Sequence, residues 1–252
     1  MNKIALVTGG SRGLGKDMAL NLAKKGIDVI LTYNSNKDAA DKVVSEIESM
    51  GQKALAVQLD VSRPNTFDTF FGELEKALNP KFGTSKFDFL INNAGTGVAA
   101  GFTETSEEQF DEMINVQFKG PFFFTQKALN HMNDGGGIVN VSSGLTRIII
   151  PYYPVYASVK AAMENLTKYL AKDLGVARKI RVNIVAPGAI ETDFGGGVVR
   201  DNQEMNTFIA SQTALGRVGQ PTDIGSVVAF LCTDEAKWIT AQRIEISGGQ
   251  SL

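Results

Sequence analysis

Tyr156 and Lys160 stand four residues apart in Tyr156-Ala157-Ser158-Val159-Lys160, a spacing that puts both side chains on one helix face. A phenol with an ordinary pKa of about 10 is a poor acid–base catalyst near neutrality. An ammonium beside it favours the phenolate and lowers that pKa by roughly 1–3 units. So assisted, Tyr156 can give a proton to a carbonyl oxygen or take one from an alcohol. Ser143 follows the apolar run Ile138–Val141, and its hydroxyl would polarise and orient the same oxygen. Each residue alone has a plainer reading. Tyr-x-x-x-Lys arises by chance on exposed helices, Ser143 is an ordinary strand-end hydroxyl, and Asn115 is an ordinary helix amide. Together, each at a strand end or on a helix, they form a constellation that could add or remove a proton at an oxygen.

Such chemistry needs a hydride carrier, and the chain begins with a place for one. The run Ile4–Thr8 leads into Thr8-Gly9-Gly10-Ser11-Arg12-Gly13-Leu14-Gly15, and a helical pattern starts at once. Glycines let the backbone turn tightly beside a diphosphate, and the helix N-terminus offers free N–H groups and a positive dipole end. The spacing is TGxxxGxG rather than GxGxxG. A rival reading uses Gly10 to Lys16 as the GxxxxGK of a P-loop nucleotide hydrolase, with the strand ending at Asp60 as its metal-binding partner. Asp17 then stands where a magnesium-binding Ser or Thr is required. That reading also leaves the later motifs unexplained. An NAD site places an acid about 20 residues past the loop. Tyr33-Asn34-Ser35-Asn36-Lys37 holds none before Asp38. Arg12, with Lys37 as a second cation, would instead meet a 2′-phosphate. NADP(H) is therefore preferred and NAD(H) is the alternative, although Lys37 alone reads as a solvated helix-start residue.

The elements that would position these residues alternate along the chain. Strand-like runs occupy residues 4–8, 28–32, 54–59, 87–91, 138–141, 181–185 and 243–246, with helical patterns over 15–25, 37–50, 66–78, 107–130, 156–174 and 222–231. The strands are almost continuously apolar, as in a parallel sheet covered on both faces. This is the pattern of one doubly wound α/β domain over residues 1–252, with no repeat and no linker. With 252 residues, 43% of them hydrophobic, the chain can bury a large core. Its 25 basic and 27 acidic residues give a net charge of −2, which argues against a nucleic-acid partner. One cysteine, Cys232, allows no internal disulfide and no cysteine-rich metal site, and no metal is expected. The early apolar run Ile4–Val7 is too short for a signal segment or a membrane span, so a soluble cytoplasmic protein with no membrane partner is expected.

Over essentially its whole length, from TGGSRGLG at residue 8 through NNAG at 92 and YASVK at 156 to Gly248, the chain resembles the short-chain dehydrogenase/reductase family. The resemblance implies a single Rossmann-type domain with a seven-stranded parallel sheet in the order 3-2-1-4-5-6-7. It makes Gly9, Gly13 and Gly15 the cofactor-loop glycines, joined by Ser11, Arg12 and Leu14, with Asn34 and Ser35 after the second strand. Asp60 and Val61 would hold the adenine. Asn93, Ala94 and Gly95 would line the cofactor cleft, and Pro187, Gly188, Ile190 and Thr192 would grip the nicotinamide carboxamide. The family's catalytic serine lies thirteen residues before its tyrosine, which selects Ser143 over Ser142. Lys160 would bind the nicotinamide ribose and tune Tyr156, and Asn115 would hold a water in the proton relay. The family's members of this size are commonly homotetramers.

The activity implied is NADP(H)-dependent reduction of a ketone or 3-oxoacyl thioester to a secondary alcohol. A sugar, steroid or small-alcohol dehydrogenase is the alternative. A non-catalytic dinucleotide sensor would tolerate loss of Ser143, Tyr156 or Lys160, yet all three are present. The expected pocket walls are residues 145–153 and 194–213, within a substrate loop near 189–213. There Gly195-Gly196-Gly197 reads equally as the hinge of a lid or as an ordinary flexible loop. The run Ile148-Ile149-Ile150-Pro151-Tyr152-Tyr153-Pro154 favours an alkyl, acyl or aryl ketone over a polyhydroxylated sugar. Gly216-Arg217-Val218-Gly219 and Ser247-Gly248-Gly249 resemble the family's 3-oxoacyl-thioester reductases. An acyl carrier protein would dock on basic residues, for which Arg178, Lys179 and Arg181 are the candidates, while the segment 131–134 adds no Arg or Lys.

Overall fold

The computed structural model describes residues 2–252. Its seven strands are β1 (Ile4–Val7), β2 (Asp28–Tyr33), β3 (Ala54–Gln58), β4 (Phe87–Asn92), β5 (Met132–Val141), β6 (Arg181–Pro187) and β7 (Arg243–Ile246). They form one parallel sheet in the order β3-β2-β1-β4-β5-β6-β7. The helices α1 (Gly13–Lys24), α2 (Lys37–Ser49) and α9 (Pro221–Leu231) cover one face. The helices α3 (Phe67–Phe82), α5 (Gly120–Ala128) and α6 (Pro154–Arg178) cover the other. Strand β1 shows why its sequence is unbroken in apolar character. Ala5 and Val7 pack with Met18, Leu22 and Val228 on one side, whereas Ile4 and Leu6 pack with Phe67, Leu74 and Phe124 on the other.

The order reverses between β1 and β4, and the crevice at the carboxyl ends of the strands opens there. A buried amide chain locks the strands beside it. Asn92 Nδ2 donates to Asn140 Oδ1 (2.8 Å) and to Thr125 Oγ1 (2.9 Å), and Asn140 Nδ2 donates to Thr167 Oγ1 on α6 (2.9 Å).

Three elements differ from the sequence reading. The helix expected over 107–130 is α4 (Glu107–Ile114), a π-helical turn at Asn115–Lys119, α5 and a 3₁₀ turn at Leu129–His131. At the end of this widened turn Gly120 lies directly against the Val61 carbonyl, where a β-carbon would clash. Strand β5 starts at Met132, six residues before the apolar run, because Met132 already pairs with Phe87 on β4, and after a register shift across the polar and glycine residues pairing resumes at Gly137 with Phe89. The expected loop at 194–213 holds two helices, α7 (Val198–Asp201) and α8 (Gln203–Ser211), the second capped by the Asn202 side chain, which accepts from Met205 N at 2.9 Å.

Candidate active site

The glycine loop is stapled to the strand beside it. Thr8 Oγ1 accepts from the backbone N–H groups of Asn93 and Ala94, each at 3.0 Å. The Asn93 amide donates back to Thr8 O (2.9 Å) and Gly9 O (3.2 Å). Gly9 N–H donates to Thr32 Oγ1 on β2. Asn93 therefore ties the turn to β4 rather than simply lining it. Gly13 has φ +54°, a conformation that favours glycine, and only Thr192 at 3.9 Å bounds the space its side chain would enter. Helix α1 starts there with no side-chain cap and no acid in its first turn, and Arg12 before it is extended and exposed. Free N–H groups, a positive dipole end and one cation suit a dinucleotide diphosphate and its 2′-phosphate.

The two cations meant for that phosphate differ. Arg12 reaches across the cleft to Asp193 at 3.4 Å and stays largely exposed. Lys37 pairs with Asp41 one helical turn on (2.6 Å), as the plainer reading had it. Asn34 and Ser35 are exposed at the end of β2, and the Asn34 carbonyl accepts from Gln58 Nε2. Asp60 turns its carboxylate onto its own bend, accepting from Ser62 N (2.9 Å) and Ser62 Oγ (2.6 Å). The P-loop reading loses its key residues. Lys16 points away to Glu46 (2.6 Å), and Asp17 is buried, accepting from Gly225 N on α9 at 3.0 Å. Burial raises the Asp17 pKa above the usual carboxylate range. Among the described residues no group of three or more His, Cys, Asp or Glu is placed to hold a metal ion. Among the same residues no helix is long and apolar enough to cross a membrane.

Ser143, Tyr156 and Lys160 converge at the carboxyl ends of β5 and β6. Tyr156 and Lys160 are each 6% exposed. The Lys160 ammonium lies 5.6 Å from the Tyr156 ring centre and donates to Val141 O at 2.8 Å. The expected lowering of the Tyr156 pKa by Lys160 is not what this arrangement produces. Burial raises the phenol well above its ordinary value, a hydrogen bond with Ser143 opposes this, and Tyr153 adds to the rise. Burial also pushes Lys160 down to about 7, so the charge that would stabilise a phenolate is itself weakened.

Ser143 is held by its neighbours. Its Oγ accepts from Leu145 N (3.2 Å). On either side, Ser142 Oγ (2.6 Å) and Thr146 Oγ1 (2.8 Å) donate to one oxygen of Glu164, which also accepts from Arg243 Nε at 2.7 Å. Glu164 was invisible in the sequence, because only the fold brings residues 142, 146, 164 and 243 together.

Asn115 sits half-buried at the start of the π turn, and Gln117 is the buried amide there. It is 1% exposed, donates to Thr96 O, faces Gly95, and leaves its Oε1 without a partner. Nothing in the polar spacing of the segment separates Gln117 from a surface residue.

On the far side of the cleft, Gly188 N–H donates to Ile246 O (3.0 Å) and Ile190 pairs with Gly219. Thr192 Oγ1 accepts from Phe194 N (3.2 Å). Pro187 ends β6 among buried residues, so Pro187, Gly188, Ile190 and Thr192 form one rim. The opposite wall is apolar, with Val98, Leu145 and Tyr153 packed around Tyr156 and Met113. Tyr152 there has φ +73°, a strained conformation for a bulky residue, and its carbonyl accepts from Ala100 N at 2.8 Å. The proposed acyl-carrier patch is misplaced. Arg178 ends α6, about 33 Å along the helix from Tyr156 at 1.5 Å per residue. It is committed to Asp134, Leu129 O and Met132 O, and Arg181 to Leu231 O.

Residues 9–251 match a family model described as enoyl-(acyl carrier protein) reductase. A tetrahydroxynaphthalene reductase, PfmaG of Pestalotiopsis fici, is 38% identical over 98% of this chain and 91% of its own length. Among solved structures, the promiscuous reductase LugOII, which catalyses a keto-reduction in lugdunomycin biosynthesis, superposes with a TM-score of 0.92. It is 40% identical over 98% of this chain and 96% of its own. The angucycline C-6 ketoreductase LanV, solved with bound NADP, also gives 0.92, at 39% identity over 99% and 95% of the two chains. The family model and these whole-length matches agree with the sheet order, and the chain belongs to the short-chain dehydrogenase/reductase family of oxidoreductases.

Proposed function

We propose that this chain reduces an apolar ketone to a secondary alcohol with NADPH, using Tyr156 as the proton donor. The observation that carries the reading is the burial of Tyr156 against Ser143 and Lys160, at the mouth of a crevice whose other end is the uncapped α1 with Arg12. Bound NADPH supplies the hydride. Burial keeps the Tyr156 phenol protonated at neutral pH, which suits proton donation during reduction. The Ser143 hydroxyl orients the carbonyl oxygen toward the phenol. Lys160, held on Val141 O, is positioned for the nicotinamide ribose and to return a proton to Tyr156. Carbon gains the hydride, oxygen gains the phenol proton, and the product is an alcohol.

The apolar wall of Val98, Leu145 and Tyr153 offers a sugar no partners for its hydroxyls. The reductases named above for a hydroxynaphthalene and an angucycline support a ketone on a carbon skeleton. A 3-oxoacyl chain remains a substrate by its chemistry, without support for a carrier-protein dock. We also propose a homotetramer, since α5 and α6 expose Phe122, Phe123, Tyr169 and Val176, and Trp238 and Leu252 are almost fully exposed.

The test is a panel of ketones followed by NADPH absorbance. Tyr156→Phe is expected to lose roughly 10²–10⁴ in kcat while still binding NADPH. Arg12→Ala is expected to reduce the NADPH-over-NADH preference by roughly tenfold or more, the worth of a charge-assisted hydrogen bond. Retained kcat in Tyr156→Phe would remove the acid assignment, and equal use of both cofactors by the wild type would remove the phosphate assignment.

A further inference from the structure

We propose that Phe194 is a specificity-determining residue of this site and selects ketones whose carbonyl is borne on a flat ring system. The inference rests on the assignment of Tyr156 as proton donor and names the substrate class of that same site. The Phe194 ring lies 5.6 Å from the Tyr156 ring, tilted by 52°. Tyr153 stands 6.4 Å from Tyr156 at 69°. The reacting phenol is thus flanked by two aromatic rings, and any carbonyl that reaches its hydroxyl arrives beside them.

Phe194 is not simply a stray apolar residue on a loop. Its ring occupies a notch that only glycine leaves open, because a β-carbon on Gly97 would stand 2.5 Å from Phe194 Cζ. Its backbone N–H is held by Thr192 Oγ1, a member of the cofactor rim. Yet the residue is 43% exposed, so part of the ring is free at the mouth of the cleft. Three consecutive residues with positive φ follow it, Gly195 (+61°), Gly196 (+76°) and Gly197 (+78°). That backbone, in a conformation that favours glycine, joins Phe194 to α7. A flat ketone gains from such a wall because aromatic pairs are worth more than their buried area, a factor of about two to twelve in binding. A linear 3-oxoester gains no such pairing and loses rotational freedom on binding.

The experiment compares kcat/KM for 2-tetralone, a bicyclic ring ketone, with that for ethyl 3-oxobutanoate, a linear one, in the NADPH-loaded enzyme. In Phe194→Ala the ratio of the two is expected to fall by about two- to twelvefold, mostly through KM for the ring ketone. Phe194→Tyr keeps a ring and is expected to hold the ratio within about twofold. Gly97→Ala evicts the ring from its notch and is expected to move the ratio in the same direction as Phe194→Ala. A parallel measurement is the affinity for 2-naphthol, by its own fluorescence with NADP⁺ present. It is expected to weaken in Phe194→Ala and Gly97→Ala alone, and it reads the same surface even if neither ketone turns over. An unchanged ratio and unchanged naphthol affinity in Phe194→Ala overturn the proposal, as does an equal loss for both ketones. Failure of the Tyr156 assignment looks different: Tyr156→Phe would then keep its turnover, whatever the ratio does.

Discussion

Lys160 answers two opposed demands. The mechanism asks for an ammonium next to a phenol, and the fold buries that ammonium with one carbonyl partner, Val141 O. Removing a cation from water penalises its charged form, and the lysine is pushed down to about 7. Below that pH both folded and unfolded chains carry the proton, and the burial penalty is borne in full. From about pH 7 up to the ordinary lysine value near 10.4, the unfolded chain holds a proton that the folded chain lacks, so stability rises with pH. In Lys160→Met this contribution is gone. The melting temperature of the wild type is therefore expected to gain on that of the variant between pH 7 and 10, each 1 kcal/mol being worth about 2–4 °C in a chain of this size. Thermal melts of both proteins without cofactor test this, and a constant gap across that range would show that Lys160 keeps its charge in the fold. Tyr156 follows the same physics with the opposite sign, since burial favours its neutral form, which is the form a proton donor needs.

At the scale of elements, helix α6 does more than display Tyr156 and Lys160. One turn further on, Glu164 gathers Ser142, Thr146 and Arg243 onto a single carboxylate oxygen, and Arg243 also pairs with Glu245 at 3.0 Å. Both neighbours of the Ser143 turn are thereby fixed to α6 and β7. The Glu164–Arg243 pair is mostly buried, with side chains 17% and 24% exposed. Glu164→Ala leaves Arg243 with Glu245 and the Thr146 hydroxyl, and leaves the Ser142 hydroxyl without its acceptor. The expected cost is about 2–3 kcal/mol, below that of a fully buried pair because Glu245 remains. A thermal melt reads this as a loss of roughly 4–12 °C. If Ser143 is positioned this way, kcat falls more than KM rises, and Glu164→Gln, which keeps an acceptor oxygen, restores most of it. Full kcat in Glu164→Ala would show that the turn holds itself.

For the whole molecule, the sheet order decides what meets what. Residues 8–15, 92–95, 142–143 and 187–192 are scattered over most of the sequence, yet all end at the same edge because every strand is parallel. The opposite edge holds Arg178 and Arg181, which explains why they serve the scaffold and not the cleft. The outer faces of α5 and α6 and the chain's C-terminal end leave large apolar side chains in water, Tyr169, Val176, Trp238 and Leu252 among them. Association would cover them. Light scattering is expected to report about four times the mass of one chain, and a fully active monodisperse monomer would refute the tetramer.

Sequence alone determined the parts of this protein that depend on local pattern. Strand-like runs four to six residues long, interleaved with helical periods, are enough to specify a doubly wound sheet, because each strand must be covered on both faces. The TGxxxGxG turn and the Tyr156–Lys160 pair were legible for a similar reason, since their chemistry lies in residue type and close spacing. Only the tertiary structure decided what depends on burial and on distant neighbours. It raised the pKa of Tyr156 and lowered that of Lys160, turned Lys16 out to Glu46 and sank Asp17 under α9. It broke one expected helix into a π turn around Gln117, and brought Glu164 to Ser142 and Phe194 to Tyr156. Desolvation and long-range packing are properties of where a side chain ends up, and no spacing along the chain encodes them.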